Sequence, residues 1–546
     1  MPRWLAWMSG VIGWGLVLIT CALPLAGMAI ALSDPRRIAT DVVAVPTTAT
    51  LMLRSVGLAA IAAVAALVMA VAPAMVLGSR ARADARSGRF RRAALMGLVL
   101  APLLIPPQIY AYAWGLAVSP TGPLAGVASP LASAGTLEAT VRSGLISAGW
   151  LWPAAAIILA AAWRTTGAGV YQLALLDASP GRAFLSAVLP SLRSAVLAAV
   201  CVVFAVAMLE YPIPHLGLVR VYATELMMLF DVGAPPGQIL RMAVEPIAVV
   251  AMAVLMAAWL SRKFALGDPL GEIAGFTSGP AGRLSCWAVV VAAGVWAATV
   301  VVPAVAMLGN MRDVAGWRQA VRLLRNDWAD SVAIAAAAGG LAVLIALGTV
   351  VRGAARPRWA SRSGGRHWGS GIGMLLPFLT AGMPAAGLGI GFVVLFNRDA
   401  LLEGVLEPAY LYRDTGIVWV LGLTARYAAI AVLIAWLTMG RTAVQLIEQA
   451  RVDGAGSSGV VAHVLLPLAW RGLAAGGLIV ALLALFEVVI TQILRPVGFG
   501  SLSYTLLQHM HYGRDDVVIA TSLLSMAAGV VVAMLTGALV VRRGEV

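Results

Sequence analysis

The chain contains few charged residues and almost no lysine. Charged side chains make up 11% of its 546 residues, whereas a soluble globular domain carries about a quarter. Lys263 is the only lysine, so the net charge of +14 comes from arginine. Because 61% of the residues are hydrophobic, the composition excludes an ordinary soluble domain. The positive charge alone does not indicate nucleic-acid binding, and we predict no nucleic-acid partner.

Recognisable patterns for catalysis, metal binding and nucleotide binding are also missing. The three cysteines, Cys21, Cys201 and Cys286, have no metal-type spacing, and each falls in an apolar stretch that favours a small core residue. There is no G-x(4)-G-K-S/T phosphate loop, no Cys-x-x-Cys pair and no nucleophile with a matching base. We therefore predict no catalytic residue, no metal site and no cofactor. Any transport must draw its energy from an ion gradient or from another protein.

Long apolar runs dominate what is present. About twenty apolar residues, rising about 1.5 Å each, cross a hydrocarbon core of about 30 Å. The sequence therefore predicts an all-α polytopic membrane protein with about twelve transmembrane helices. The first run exceeds the apolar region of a signal peptide, about 7–15 residues, and we expect it to be retained. The predicted spans are 11–32, 51–77, 93–117, 143–163, 191–210, 240–260, 284–307, 330–351, 371–396, 416–438, 470–491 and 516–541.

Arginine clusters in short loops predict the orientation. Positive charge in short loops marks the cytoplasmic side of a bilayer, and this places both termini in the cytoplasm. One predicted outer loop departs from the rule because it also contains several arginines. The cytoplasmic clusters are Arg80, Arg82, Arg86, Arg89, Arg91 and Arg92, then Arg352, Arg356, Arg358, Arg362 and Arg366, then Arg542 and Arg543; the outer set is Arg312, Arg318, Arg322 and Arg325.

Landmark residues recur about 277 positions apart. Pro190 and Pro467 each precede a span (467 − 190), and Glu210 and Glu487 each lie late in the span that follows (487 − 210). Pro107 and Pro384 show the same offset, and Ser55-Val56 and Ser331-Val332 differ by 276. The pattern predicts two tandem six-helix units related by a parallel repeat. We place a first transmembrane unit at 1–260, a cytoplasmic linker at 261–283 and a second unit at 284–546.

A partly polar segment in the second half, Glu448–Pro467, is the most informative motif, and we call it the second loop. It reads Glu448-Gln449-Ala450-Arg451-Val452-Asp453-Gly454-Ala455 and closes with Leu466-Pro467. Glycine follows the glutamate by six positions (454 − 448), and proline follows the glycine by thirteen (467 − 454). This resembles the EAA loop of ABC-importer permeases, roughly E-A-A-x(3)-G-x(9)-I-x-L-P. Gln449 and Val464 depart from that pattern.

The first half carries a partial copy, Tyr171–Pro190, which we call the first loop. Its closing Leu189-Pro190 fits the pattern, but Asp177 stands where the family has glycine and Tyr171 where it has glutamate. Ala178 follows Asp177, as Ala455 follows Gly454. The departures make its binding strength, though not its position, an open question.

The resemblance implies the permease subunit of a binding-protein-dependent type I ABC importer, in the fused branch with two MetI-like transmembrane domains. That branch includes ferric-iron and thiamine permeases, and ferric iron is our first expectation. The implied location is the bacterial cytoplasmic membrane, in the lipid bilayer. The implied partners are two cytoplasmic ATPase subunits, which dock on the two loops, and a periplasmic or extracellular substrate-binding protein. ATP hydrolysis then belongs to the partner, so this chain is not an enzyme.

Several residues leave alternatives open. Glu210 and Glu487 lie in or near span ends, where a carboxylate either lines a translocation pathway or reaches the interface beside Arg220 or Arg495. Tyr504, His509, His511 and Tyr512, near Asp515 and Asp516, fit either a metal contact or the aromatic belt of a membrane interface. An ion-coupled secondary transporter is the main rival class, and a membrane scaffold without transport is a third.

Overall fold

The protein is described from a computed structural model. The structure describes residues 13–33, 48–78, 87–119, 122–124, 136–163, 168–261, 282–313, 315–323, 325–354, 368–397, 408–512 and 515–541. Within these ranges the regular structure is helical and contains no strand. Most of the predicted linker at 261–283 and the three predicted cytoplasmic arginine clusters fall largely outside the described residues.

Twenty-five helices make up these ranges, and several are short pieces joined by turns. The first half contains α1 Gly13–Ser33, α2 Thr48–Gly78, α3 Ser87–Leu104, α4 Pro107–Val118, α5 Thr136–Ala162, α6 Ala168–Ala174, α7 Pro180–Ala183, α8 Leu189–Ser191, α9 Arg193–Leu209, α10 Pro212–Leu216, α11 Tyr222–Asp231 and α12 Pro236–Ser261. The second half contains α13 Gly282–Trp296, α14 Val302–Asn310, α15 Ala315–Leu323, α16 Arg325–Ala354, α17 Trp368–Ala381, α18 Ala385–Phe396, α19 Pro408–Arg413, α20 Ile417–Val452, α21 Ser457–Val460, α22 Leu466–Leu485, α23 Val489–Leu494, α24 Leu502–His511 and α25 Asp515–Val540.

The lengths and hydropathy of these helices confirm a multi-pass, all-α membrane protein. Among the described residues, 9 helices are long and apolar enough to cross a membrane, and up to 12 spans result if each of three bent pairs counts as one. The bends are 82° between α3 and α4, 70° before α9 and 110° between α17 and α18. The arrangement of these spans as two six-helix units stays a prediction.

Prolines explain two of the three bends. Pro106 precedes α4 with φ −57° and ψ 133°, and Pro384 precedes α18 with φ −56° and ψ 136°. A proline ring blocks helical continuation, because it removes an N–H and crowds the preceding turn. The counterpart of Pro384 is therefore Pro106, at an offset of 278 (384 − 106). The pairing of Pro384 with Pro107 was wrong, since Pro107 is the first residue of α4, where a missing N–H costs nothing.

The described residues form two compact units, and each unit is built from both halves of the chain. One unit takes its residues from Met1–Val43, Leu226–Val244 and Val321–His511. The other takes them from Ala44–Glu225, Glu245–Ala320 and Tyr512–Val546. Compactness and chain order are thus different properties here. The predicted repeat boundaries at 260 and 284 concern chain order and stay a prediction.

Close helix contacts hold each unit together. In the first unit, α16, α20 and α22 share an apolar core that includes Ile345, Val432 and Leu473. Helix α1 packs against α18 so closely that a Cβ added at Gly27 would lie 1.9 Å from the carbonyl oxygen of Gly391. In the other unit, a Cβ at Gly537 of α25 would lie 2.3 Å from the carbonyl oxygen of Ala93 in α3. Glycine at such positions lets helices approach closely in a membrane.

One buried hydrogen bond occurs in both halves. Ser55 Oγ accepts a bond from the backbone N–H of Tyr222 at 3.0 Å, and Ser331 Oγ accepts one from the backbone N–H of Leu502 at 2.8 Å. Tyr222 and Leu502 are the first residues of α11 and α24, so each serine satisfies an amide that has no partner within its own helix. The two serines lie 276 residues apart (331 − 55) and the two amides 280 (502 − 222).

Candidate functional site

The second loop begins inside a helix. Helix α20 runs without interruption from Ile417 to Val452, while its apolar, span-like part covers Ile417–Thr438. Glu448 and Ala450 therefore lie on the final turns of a helix that continues well beyond the span. The stretch that sequence analysis described as a separate polar segment is, up to Val452, an extension of this helix.

A Schellman turn ends α20 at Gly454. Gly454 has φ +85°, its N–H donates to the carbonyl of Arg451 at 3.1 Å, and the N–H of Ala455 donates to the carbonyl of Ala450 at 2.8 Å. These are the two bonds that define this helix ending. A Cβ at Gly454 would meet nothing within 4 Å. Glycine is required for its backbone conformation and not for lack of space. The predicted tight turn at Gly454 is confirmed.

The rest of the second loop returns the chain to the core. After α21, the π-helical turn Val461–Leu465 leads into α22, whose first residues are Leu466 and Pro467. Val460 and Leu465 are buried in the core of α16, α20 and α22. The predicted place of Pro467 in the first turn of the following helix is confirmed. The loop is therefore anchored at both ends on the same apolar cluster.

The outer surface of the second loop mixes acidic and apolar side chains. Glu448 and Asp453 are exposed. Val452 is 87% exposed and Leu466 43% exposed. An exposed β-branched residue beside carboxylates, in a polar segment outside the spans, is a surface that a partner protein could cover.

The first loop has the same ending and a different beginning. Helix α7, the π-helical turn Phe184–Val188 and Leu189-Pro190 occupy the positions of α21, Val461–Leu465 and Leu466-Pro467, each 277 residues earlier (461 − 184). At the beginning, the N–H of Ala178 donates to the carbonyl of Ala174 at 3.0 Å, and Asp177 has no positive φ. The glycine-dependent turn is therefore absent from this loop.

Leucines dominate the exposed surface of the first loop. Leu176 is 80% exposed, Leu173 68%, Leu185 64% and Leu189 42%. Asp177 is also exposed, and Ala178 is half-buried. Both loops thus present apolar side chains next to an aspartate, although they reach this surface with different backbones.

Glu487 is buried at the end of α22, and backbone groups hold it. It is 7% exposed, and one carboxylate oxygen accepts hydrogen bonds from the N–H groups of Ile490 at 2.6 Å and Thr491 at 3.2 Å. Its own carbonyl accepts a bond from Ser503 Oγ at 2.8 Å. The carboxylate therefore caps the N-terminal turn of α23, which is a favourable place for negative charge.

Glu210 occupies the corresponding place in the first half. It is the residue that ends α9 and is 8% exposed. The suggested pairing with Arg220 is not what the structure shows, because Arg220 forms a bidentate ion pair with Glu225 at 2.5 and 2.9 Å. Arg495 likewise donates to the carbonyl of Phe499 at 2.5 Å and stacks on the Tyr504 ring.

Sequence reasoning missed two residues at the helix breaks. Arg426 in α20 donates from Nη1 to the carbonyl of Met383 at 2.5 Å, and Trp150 in α5 donates from Nε1 to the carbonyl of Ile105 at 3.0 Å. Met383 and Ile105 are the residues directly before Pro384 and Pro106. A carbonyl freed by a helix break needs a donor when no water is present. An arginine inside an apolar span was the sequence signal for one of them.

The cluster of histidines and tyrosines lies at the end of α24. His511 Nδ1 is 2.8 Å from the carbonyl oxygen of Leu507, one turn earlier in the same helix. Among the residues that the structure describes, no group of three or more His, Cys, Asp or Glu side chains could hold a metal ion. The metal-contact alternative for this segment therefore gains no support.

Comparison of the chain with family models, with curated proteins and with solved structures gave no match.

Proposed function

We propose that this protein is the permease subunit of a binding-protein-dependent ABC importer and that its two loops couple it to cytoplasmic ATPase subunits. The observation that carries this proposal is the second loop, in which a span-forming helix extends about 14 residues (452 − 438) beyond its apolar part and ends at Gly454 in a fixed turn. Exposed apolar side chains follow at once. Such a surface fits docking of another protein and has no evident role in a bilayer.

The geometry suggests how movement of a partner would reach the spans. Helix α20 is one rigid element from the loop to the opposite end of its span, and α22 returns from the loop into the same core. A push on Val452 or Asp453 would therefore displace packed helices as a body. ATP binding by two partner subunits would bring the loops together and open the pathway outward. Hydrolysis, which belongs to the partners, would reset it.

The proposed substrate is a small solute delivered by a periplasmic or extracellular binding protein. Ferric iron is the first candidate and thiamine the second, both from the resemblance to fused permeases. The proposed location is the bacterial cytoplasmic membrane, with both termini in the cytoplasm. In this arrangement the chain holds no cofactor and performs no catalysis itself.

An ion-coupled secondary transporter is the second candidate function. Buried Arg426 and Glu487 favour it, because ionisable groups inside a helical bundle often carry or gate coupling ions. It offers no role for the exposed valine and leucines of the loops, so we rank it second.

Co-purification with a matched glycine variant tests the proposal. The tagged chain would be isolated from its native membrane in mild detergent as wild type, as Gly454→Pro and as Gly233→Pro. Gly233 ends α11 in the same way, with φ +74°, its N–H 3.0 Å from the carbonyl of Phe230 and the N–H of Ala234 2.9 Å from that of Leu229. Both variants lose the same backbone conformation and the same hydrogen bond, but only one change lies in a coupling loop.

We expect an ATP-binding subunit to accompany the wild type and Gly233→Pro and to be lost from Gly454→Pro. Equal loss from both glycine variants would indicate general misfolding and remove the loop from the argument. Absence of any ATP-binding subunit from the wild type would contradict the importer proposal and favour the ion-coupled transporter.

A further inference from the structure

A carboxylate that sequence analysis did not single out lies within a candidate span. Glu245 is the tenth residue of α12, in the candidate membrane span Pro236–Ser261, and its side chain is exposed. It precedes Ser261 by 16 residues, or about 24 Å of helix, so it lies within the apolar part of the span. A carboxylate at bilayer depth normally faces a water-filled path or a polar partner.

A tyrosine fixes this carboxylate. The hydroxyl of Tyr222 donates a hydrogen bond to Oε2 of Glu245 and lies 3.3 Å from the carbonyl oxygen of Thr48. Tyr222 is 1% exposed, and Ser55 holds its backbone N–H. Burial, together with the neighbouring carboxylate, raises the pKa of Tyr222. The hydroxyl therefore keeps its proton and holds the carboxylate in its charged form.

A third oxygen becomes available on the same turn. Pro246 follows Glu245 inside α12. A proline within a helix cannot donate to the carbonyl four residues earlier, which here belongs to Met242. A carboxylate with an unbonded backbone carbonyl nearby provides the hard oxygen donors that cations prefer.

The second half builds the same helices without the acid or the phenol. Helices α11 and α24 both have ten residues, and α12 and α25 both have 26. At the matching positions Leu502 replaces Tyr222 (502 − 222 = 280), and exposed Leu524 replaces Glu245 (524 − 245 = 279). Ser331 holds the Leu502 amide as Ser55 holds that of Tyr222. Packing of this helix pair therefore requires neither polar side chain.

We propose that Glu245, positioned by Tyr222, is a cation-binding site of the translocation pathway and that the transported solute is a cation. The carboxylate would attract and transiently bind positive charge, and the Tyr222 hydroxyl would hold it in place. This class includes ferric ion and thiamine and excludes anionic nutrients such as phosphate or sulfate. The inference deepens the proposed function and rests on it for the direction and energy of transport.

Binding of a trivalent cation to the purified chain tests the site without any ATPase. The chain would be placed in lipid nanodiscs of zwitterionic lipid, and Tb³⁺ would be titrated while its luminescence, sensitised by nearby aromatic side chains, is followed. The variants are Glu245→Gln, Tyr222→Phe and the double change Tyr222→Leu with Glu245→Leu, which copies the second half. Glu138→Gln is the control, because Glu138 is a half-buried carboxylate in the first turn of α5.

We expect Glu245→Gln and the double leucine variant to weaken one saturable Tb³⁺ site by about tenfold or more, since the charge is lost. Tyr222→Phe keeps the charge and should weaken that site by about threefold. Glu138→Gln should leave it unchanged. Equal Tb³⁺ binding by the wild type and Glu245→Gln would overturn the proposal, and so would a wild type with no saturable site.

Co-purification of the ATPase with the same variants separates this inference from the proposed function. If the ATPase accompanies every variant while Tb³⁺ binding depends on Glu245, both stand. If the ATPase accompanies every variant and Tb³⁺ binding does not depend on Glu245, the cation site fails and the importer stands. If no ATPase is found but binding depends on Glu245, the importer fails and the cation site stands in a carrier of another class.

Discussion

The first and second loops differ at their beginnings and agree at their ends. The second loop begins as the tail of α20 and turns at Gly454 with a left-handed residue, whereas the first begins as the separate helix α6 and turns near Asp177 without one. Both then pass through a short helix, a π-helical turn and a Leu-Pro pair. The comparison shows that the return into the bundle is the shared requirement and that the glycine turn belongs to one loop only.

An acidic residue at the exposed apolar position of each loop should have the largest effect. We expect Val452→Asp to reduce co-purified ATPase by about tenfold or more, since a buried apolar contact at a partner interface contributes about 2 kcal/mol when it is central. Leu176→Asp should act similarly if the loops are equivalent. Quantitative mass spectrometry of the purified complexes measures both. A loss confined to Val452→Asp would show that the first loop binds weakly.

Removal of the shared serine hydroxyl should destabilise both halves equally. Ser331→Ala and Ser55→Ala each leave a buried helix-initial amide without its acceptor, which costs about 1–3 kcal/mol. Thermal unfolding in detergent measures the loss. Ser186→Ala, an exposed serine that bonds within its own helix turn, is the control and should be nearly neutral. A large difference between Ser55 and Ser331 would contradict their equivalence.

Alanine at the glycine turn should act on the second loop alone. Gly454→Ala places a Cβ on a left-handed residue, which costs about 1–2 kcal/mol. Asparagine tolerates that conformation better, so Gly454→Asn should cost less. Hydrogen exchange at the amide of Ala455, which donates to Ala450, reports the local opening. Unchanged exchange in Gly454→Ala would show that the turn does not depend on glycine.

Glycine introduced into the first loop should have the smallest effect. Asp177 already adopts an ordinary backbone conformation and is exposed, so Asp177→Gly should change stability by no more than about 0.5 kcal/mol. It should not strengthen ATPase binding unless the first loop adopts the turn of the second. A marked gain in co-purified ATPase would show that the departure at Asp177, and not the helix before it, weakens this loop.

Sequence reasoning located the helices well because apolar runs of span length are a strong signal. It placed Gly454 in a turn and Pro467 in the first turn of a helix, and the structure agrees. It did not predict that Glu448 and Ala450 continue α20, because a helix that leaves the membrane becomes polar and looks like a loop. It paired Pro384 with Pro107 and not Pro106, because adjacent prolines cannot be distinguished by spacing alone.

The side-chain partners were the least predictable part. Arg426 and Trp150 both reach carbonyls at helix breaks about 45 residues away in sequence, and one is charged while the other is not. Arg220 has several acidic neighbours in the sequence, and only the fold selects Glu225. Tyr222 and Glu245 look like an interface tyrosine and a span-end acid until their hydrogen bond is seen.

By itself the sequence determined the class of protein, because the free energy of placing apolar side chains in lipid depends on composition and run length. It also determined where helices must break, since proline and glycine act through their own backbones. Only the tertiary structure decided that α1 packs in a unit with second-half helices and that α25 packs on α3. It also decided which donor reaches each freed carbonyl and that Glu245 meets Tyr222. Such contacts join residues far apart in the chain, and their choice depends on close packing and on satisfying every buried polar group.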